Sequence, residues 1–378
     1  MQEIVIGQNQ AGQRLDKFLR KYLPEAPGSF LYKMLRKKNI TVNGKKAEGK
    51  EMLALGDEVK LFFSEETVAK FSGRLVGNAA DEKGRGRKAN DRDTGAGAVS
   101  SSASGSSASG LAAVCLRAYH TLQGIEVVYE DENVLILSKP AGVLTQKAET
   151  KDISLNEWMI GYLLKEGAVS QEELQTFRPS VCNRLDRNTS GLVLCGKSLA
   201  GSQELSRMIR ERAVRKFYRT FAAGRIDHAS RIEGYLVKDE RTNKVTVSKK
   251  DYQAADASYI QTAYTPLEFL VPSGVGASRG YTYLEVELIT GKPHQIRAHL
   301  AGTGHPLLGD YKYGNRTDND LYGKKYHITS QMLHAYRLEF PEMKGALEAL
   351  SGRIIIAPLP ETFVTILESW QVCGTSRK

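Results

Sequence analysis

Between Ser72 and Leu111 the chain loses nearly all its large apolar residues and turns to Gly, Ser, Ala and charge, as in GRGRKANDRDTGAGAVSSSASGSSASG. Such a stretch cannot bury enough surface to offset the entropy of ordering it, so its composition predicts a flexible tether. Whatever lies on either side must then build its own core. The reading is a small unit over residues 1–65, a Gly/Ser-rich linker over 66–121 and a large unit over 122–378. With 378 residues and 41% hydrophobic content, the chain has enough material for separate cores.

Fifty-three Lys and Arg against 43 Asp and Glu leave a net charge of +10, which favours a polyanionic partner. RNA or DNA comes first, and an anionic membrane surface second. No apolar run approaches a membrane span, and MQEIVIGQNQ lacks the regions of a secretory signal, so a cytoplasmic protein with no membrane association is expected. Cys115, Cys182, Cys195 and Cys373 form no CxxC pair, which indicates neither a metal site nor a disulfide framework. No coiled-coil pattern calls for an obligate protein partner.

In the small unit, Leu15, Phe18, Leu19, Tyr22 and Leu23 recur at helical spacing and predict an amphipathic helix over Arg14 to Leu23. Pro27-Gly28-Ser29 signals a second helix, with Leu31, Met34 and Leu35 as its apolar stripe and Lys33, Arg36 and Lys37 on another face. Lys38 leads from this ridge to Ile40-Thr41-Val42-Asn43-Gly44, a strand entering a hairpin turn, beyond which Lys45 and Lys46 extend the positive surface. A charge run of this kind is either a solvated face or a polyanion site. Two helices followed by a basic hairpin resemble the S-four type of RNA-binding domain, across about Gln13 to Phe63. That resemblance implies that Lys33, Arg36, Lys37, Lys38, Lys45 and Lys46 contact RNA phosphates with little readout of base identity.

In the large unit, strands are expected at Val127–Tyr129, Val134–Ser138, Leu192–Cys195, Phe217–Ala222, Lys244–Val247, Ser258–Ala263 and Tyr281–Leu288. Helical patterns at Leu155–Lys165, Ser198–Arg212 and His294–Leu300 complete an α+β class with a mostly antiparallel sheet. Three segments carry chemistry. In NRLDRNTSGLVL, Asp186 stands between Arg184 and Arg187 in a loop between apolar runs. It is either an ionised reactive carboxylate favoured by nearby cations or a turn aspartate capping the Thr189 or Ser190 amides. In RKFYRTFAAG, strand alternation puts Lys216 and Tyr218 on one face. In LITGKPHQIRAHL, Pro293 is read at a helix start and Ile296 and Leu300 as the buried stripe. Arg297 then leaves on another side, free to reach a carboxylate elsewhere. His294 and His299 are five residues apart on the expected helix, too far around it to share a metal.

In this order and spacing the three segments closely resemble the signature motifs of the RluA family of pseudouridine synthases. SKPAGVL, HPLLGDYKYG and LHAYRLEF extend the agreement over about Gly124 to Pro341. The resemblance implies an RNA-modifying isomerase needing no cofactor or metal, with Asp186 as catalytic aspartate, Tyr218 beside the target base and Arg297 paired with the aspartate. It further implies that Arg184, Arg187, Lys216 and His294 contact RNA. Large-subunit ribosomal RNA is the expected substrate, with transfer RNA as the alternative. Asn183 and Asn188 stand where the family pattern usually has His and Asp, which keeps open a non-catalytic RNA-binding or assembly role. A glycoside or nucleoside hydrolase would need a second carboxylate, which the three motifs do not supply.

Overall fold

The computed structural model describes residues 1–72, 108–239, 244–248, 257–272 and 280–373. The centre of the expected linker, 73–107, lies outside the described residues. The chain divides into one unit of Met1–Cys115 with Leu163–Arg178 and another of Leu116–Tyr162 with Pro179–Lys378.

The first unit runs β1 (Gln2–Val5), α1 (Leu15–Tyr22), α2 (Gly28–Arg36), β2 (Ile40–Val42), β3 (Lys45–Lys46), β4 (Glu58–Leu61) and α3 (Glu65–Ser72). Leu15, Phe18, Leu19 and Tyr22 of α1 are buried at i, i+3, i+4 and i+7 and pack with Leu31, Ile40, Val59 and Leu61 into one core. Beneath the helices the strands form an antiparallel sheet in the order β1-β4-β2-β3. Asn43 and Gly44 both have positive φ, 50° and 72°, as the tight turn between β2 and β3 demands.

Both ends of the expected tether are helical. In α3, Val68 is buried and Phe71 meets Phe30 with ring centroids 4.7 Å apart. In α4 (Ala108–Thr121), Ala112, Cys115 and Ala118 recur every third residue and are buried. Composition averaged over a low-complexity run hides short periodic stripes at its edges, which is how α3 and α4 come to lie within the expected linker of 66–121.

The remaining elements are β5 (Glu126–Glu130), β6 (Val134–Lys139), α5 (Leu155–Lys165), β7 (Ser180–Val181), β8 (Ser190–Gly196), α6 (Leu199–Arg210), β9 (Arg215–Ala223), β10 (Ser230–Asp239), β11 (Lys244–Ser248), β12 (Ser258–Val271), β13 (Tyr281–Leu288), α7 (Gln295–Gly302), α8 (Arg316–Tyr326), β14 (Leu333–Glu339), β15 (Ile354–Ile356), α9 (Glu361–Ser369) and β16 (Gln371–Val372). Among the described residues they build a 12-stranded sheet whose main path is β11-β10-β12-β13-β9-β14-β8-β6-β5. Of its ladders only β14 against β8 is parallel, so the class is α+β and mostly antiparallel, as expected. Apolar clusters fill the sheet's flanks, one around Val134, Leu192, Leu205 and Leu338 and another around Phe221, Tyr281, Phe363 and Trp370.

The parallel junction is short, Ser190 against His334 and Gly191 against Ala335, and it lies directly after the Asp186 loop. Gly191 has φ +108°, and a Cβ there would lie 2.2 Å from the Ala335 carbonyl oxygen. Only glycine permits that approach. Beside it the Ser190 hydroxyl meets His334 Nδ1 at 2.9 Å in a buried pair.

Gly191→Ala is therefore expected to destabilise the protein by on the order of 3 kcal/mol in a urea melt, against no loss for Gly302→Ala at an open helix end. Burial also pushes the His334 pKa down to about 4 from the ordinary 6.5. The unfolded chain thus binds the extra proton first. Stability tied to His334 is complete above about pH 6.5 and falls as pH drops towards 4, by about 3 kcal/mol. Denaturant melts at pH 7 and 4.5 on wild type and His334→Gln would register this as a smaller acid loss in the variant.

Candidate active site

Asp186 sits at the floor of a cavity of about 570 Å³ whose lining includes Thr145, Arg184, Lys216, Tyr218, His294 and Arg297. The loop that carries it leaves β7 and enters β8, two strands paired to each other, so its ends are fixed. Asn183 adds a tie: its Oδ1 accepts the Leu194 N–H at 2.7 Å. That short amide holds the loop to β8 at one of the two positions where the sequence departs from the family pattern. The Thr189 N–H bonds to the backbone carbonyl of Asp186 at 3.0 Å, so the turn closes through main chain. Thr145 Oγ1 completes the frame, donating to the Leu185 carbonyl and accepting the Leu185 N–H.

The cation that meets Asp186 is neither of its sequence neighbours. Arg184 and Arg187 are exposed, and Arg187 Nε donates to the Gly142 carbonyl at 3.0 Å. Arg297 arrives instead from α7, its Nη1 3.4 Å from Asp186 Oδ2. Its stronger partner is Asp310, reached by Nε at 2.7 Å and Nη2 at 2.9 Å. The Asp310 side chain is fully buried, and its Oδ1 also accepts the N–H groups of Lys312 and Tyr313. Burial works against the charge on Arg297, but hydrogen bonds and attraction from Asp310, then Asp186, leave its pKa raised. A bidentate pair of this geometry fixes the guanidinium plane.

Helix α7 is buried all round, from Gln295 to Leu300, where a single apolar stripe was expected. It begins at Gln295, and Pro293 lies before it, because His294 takes a left-handed conformation at φ 54°, ψ 13° and ends the preceding loop. Gln295 locks that loop. Its Oε1 accepts from Thr290 Oγ1 and the Lys292 N–H, while its Nε2 donates to the Gln261 carbonyl and Thr262 Oγ1. His294, expected among RNA contacts, is mostly enclosed and faces Asp186 with Nε2 3.9 Å from Oδ2. His299 points elsewhere, its Nδ1 on Thr262 Oγ1 at 3.0 Å, and no metal-holding cluster occurs among the described residues.

From β9, Lys216 and Tyr218 both reach the cavity, as alternation predicts. Burial lowers the Lys216 pKa, with Arg212 adding to it. Burial, then the Asp186 charge, raises that of Tyr218 far above the ordinary phenol, so it stays protonated. A further buried lysine, Lys139, lies within SKPAGVL. Its Nζ donates to the carbonyls of Pro140 at 2.9 Å, Val143 at 2.8 Å and Arg187 at 3.0 Å. Burial pushes its pKa down to about 7 and the Asp186 charge opposes this. Three acceptors match the three hydrogens of an ammonium, so the geometry favours the charged form and ties the 140–143 turn to the Asp186 loop.

Residues 133–302 match the family profile of RNA pseudouridylate synthase. That segment is an RNA pseudouridylate synthase domain. Ribosomal large subunit pseudouridine synthase C of Vibrio vulnificus is 27% identical over 377 residues, covering 98% of this chain and 96% of the relative. Ribosomal large subunit pseudouridine synthase D of Neisseria meningitidis serogroup A is 27% identical over 365 residues, 94% of this chain and 78% of the relative. The solved structure of human RNA Pseudouridylate Synthase Domain Containing 4 shares the fold, with a TM-score of 0.51 at 20% identity over 69% of this chain and 99% of that one. In this synthase, sequence reasoning missed Asp310, Tyr313 and Lys139, all of which lie in stretches that carried the family resemblance. The signal at Asp310 is a lone carboxylate after Gly309, which has φ +76°.

Asp310→Asn in the synthase leaves Arg297 buried with half its charge compensation. Activity is expected to fall about 100-fold and stability by about 3 kcal/mol, read by RNA modification rate and thermal melting. Wild-type values for both would remove Asp310 from the account.

Proposed function

We propose that this RNA pseudouridine synthase isomerises uridines of large-subunit ribosomal RNA, with Asp186 as the reacting carboxylate. The supporting observation is a carboxylate held at a cavity floor by a guanidinium that is itself fixed from behind, with the Tyr218 phenol lining the same space. In the reaction the bond from ribose carbon 1 to uracil nitrogen 1 breaks, the base rotates, and a bond forms from the same ribose carbon to carbon 5. Nitrogen 1 gains a proton and carbon 5 loses one, so atoms balance without oxidation or water. Asp186 starts this by attacking the ribose, attacking the base or taking the ribose carbon 2 proton.

Tyr218 supplies a ring face for the uracil. Burial keeps its hydroxyl protonated in the resting site, where it acts as a hydrogen-bond donor. The uridine must leave its stack to reach the cavity, at a cost of a few kcal/mol that phosphate contacts offset. Exposed Arg184 and Arg187 at the cavity mouth are proposed for that role. In the first unit Lys33, Arg36, Lys37, Lys38, Lys45 and Lys46 are all exposed, and none has an ion-pair partner among the described residues, which supports reading it as an S-four type RNA-binding domain. The ribosomal choice rests on the relatives named above, and a cytoplasmic site of action follows from it. No helix among the described residues is long and apolar enough to cross a membrane.

Purified protein should release tritium from carbon-5-labelled uridine in large-subunit ribosomal RNA. Asp186→Asn should abolish release while RNA binding persists. Release from transfer RNA alone would redirect the substrate. An inactive wild type that binds RNA would leave the assembly-factor reading.

A further inference from the structure

His294 adopts a backbone conformation that glycine takes freely and other residues take at a cost, φ 54° and ψ 13°. It holds this conformation in the lining of the reactive cavity. Both ring nitrogens have defined surroundings. Nδ1 lies 3.0 Å from the Tyr313 hydroxyl. That hydroxyl accepts the backbone N–H of Val245, also at 3.0 Å. A hydroxyl that accepts from Val245 can still donate, and we take Tyr313 as the donor to Nδ1. The imidazole proton of the neutral ring is then on Nε2, which lies 3.9 Å from Asp186 Oδ2.

Arg297 Nη1 approaches the same oxygen, Oδ2, at 3.4 Å. Two donors from one side of α7's start thus converge on one carboxylate oxygen, and among the described residues no hydrogen bond reaches Oδ1. We propose that His294 is a positioning residue for Asp186: held by Tyr313 in the Nε2–H form, it acts with Arg297 to hold Oδ2 and leave Oδ1 as the oxygen that reacts. This deepens the functional reading given above and rests on it. The 3.9 Å gap is longer than a hydrogen bond, so the proposal requires it to close when the uridine enters. Burial, with Arg297 and Lys312 close by, keeps the ring neutral against the opposing charges of Asp186 and Asp310.

The test combines three variants with one spectroscopic measurement on the full chain. Under saturating carbon-5-tritiated RNA, His294→Ala should lower kcat about 10–100-fold with KM unchanged. His294→Gln, whose amide N–H can stand near Nε2, should recover part of that loss. Tyr313→Phe should lower kcat less than His294→Ala. Nitrogen-15 NMR of the imidazole should show the proton on Nε2 in wild type and a mixture of tautomers in Tyr313→Phe. An unchanged kcat with raised KM in His294→Ala would make His294 an RNA contact and overturn the inference, as would a Gln variant no better than Ala. A proton on Nδ1 in wild type would overturn it whether or not the variants fold. An inactive wild type with the Nε2 tautomer in place would instead count against the functional reading, and the two failures are thereby distinct.

Discussion

One guanidinium shared between two carboxylates sets the geometry of this synthase. Fully buried Asp310 grips Arg297 through two short hydrogen bonds, and Asp186 receives what remains, a single longer contact at 3.4 Å. The inequality has a chemical consequence. A carboxylate that took both prongs of the fork would be stabilised and screened, a poor nucleophile or base. Here the buried partner carries the structural pairing, and Asp186, the proposed reacting group, keeps an oxygen available. Desolvating the guanidinium is costly, and the bidentate pair offsets much of that cost before Asp186 contributes.

Several local constraints make this arrangement possible. The Asp186 loop is fixed where it leaves β7, where Asn183 bonds to β8, and where Lys139 binds the Arg187 carbonyl. Gly191 then lets β8 run beside β14 at a parallel junction, with no Cβ between the backbones. On the opposite wall Gln295 satisfies its whole amide between the loop before α7 and strand β12, which brings His294 and Arg297 to the cavity from the start of one short helix. Each device acts on backbone position, and together they place side chains from four separate stretches of sequence around one cavity.

Much of this was legible in the sequence. Period-two runs such as Tyr281–Leu288 gave strands that match, and the α1 stripe gave its helix, because burial on one face leaves a periodic trace. Asp186, Tyr218 and Arg297 could be named because each sits in a distinctive local motif. Partners across space left no such trace. Asp310 reads as an ordinary turn aspartate, and nothing in the spacing of residues 186 and 297 says that Arg184 and Arg187 will turn away from the carboxylate between them. The αL backbone at His294 was also hidden, since a Pro-His-Gln step is compatible with a helix beginning one residue earlier. Strands β1, β4, β7, β15 and β16 were missed for a different reason, since each is two to four residues long and too short for a period to show, whereas β10 and β14 are longer and were not expected either.

The most direct measurement is a crystal structure of the synthase bound to an RNA whose target uridine has been replaced by a fluorinated, trapped analogue. The account predicts the flipped nucleotide in the cavity, stacked on Tyr218, with Asp186 Oδ1 within about 3.5 Å of its reacting atom and the Arg297–Asp310 pair intact. A nucleotide seated away from Asp186, or an Arg297 swung off Asp310 to bind it, would contradict the claim.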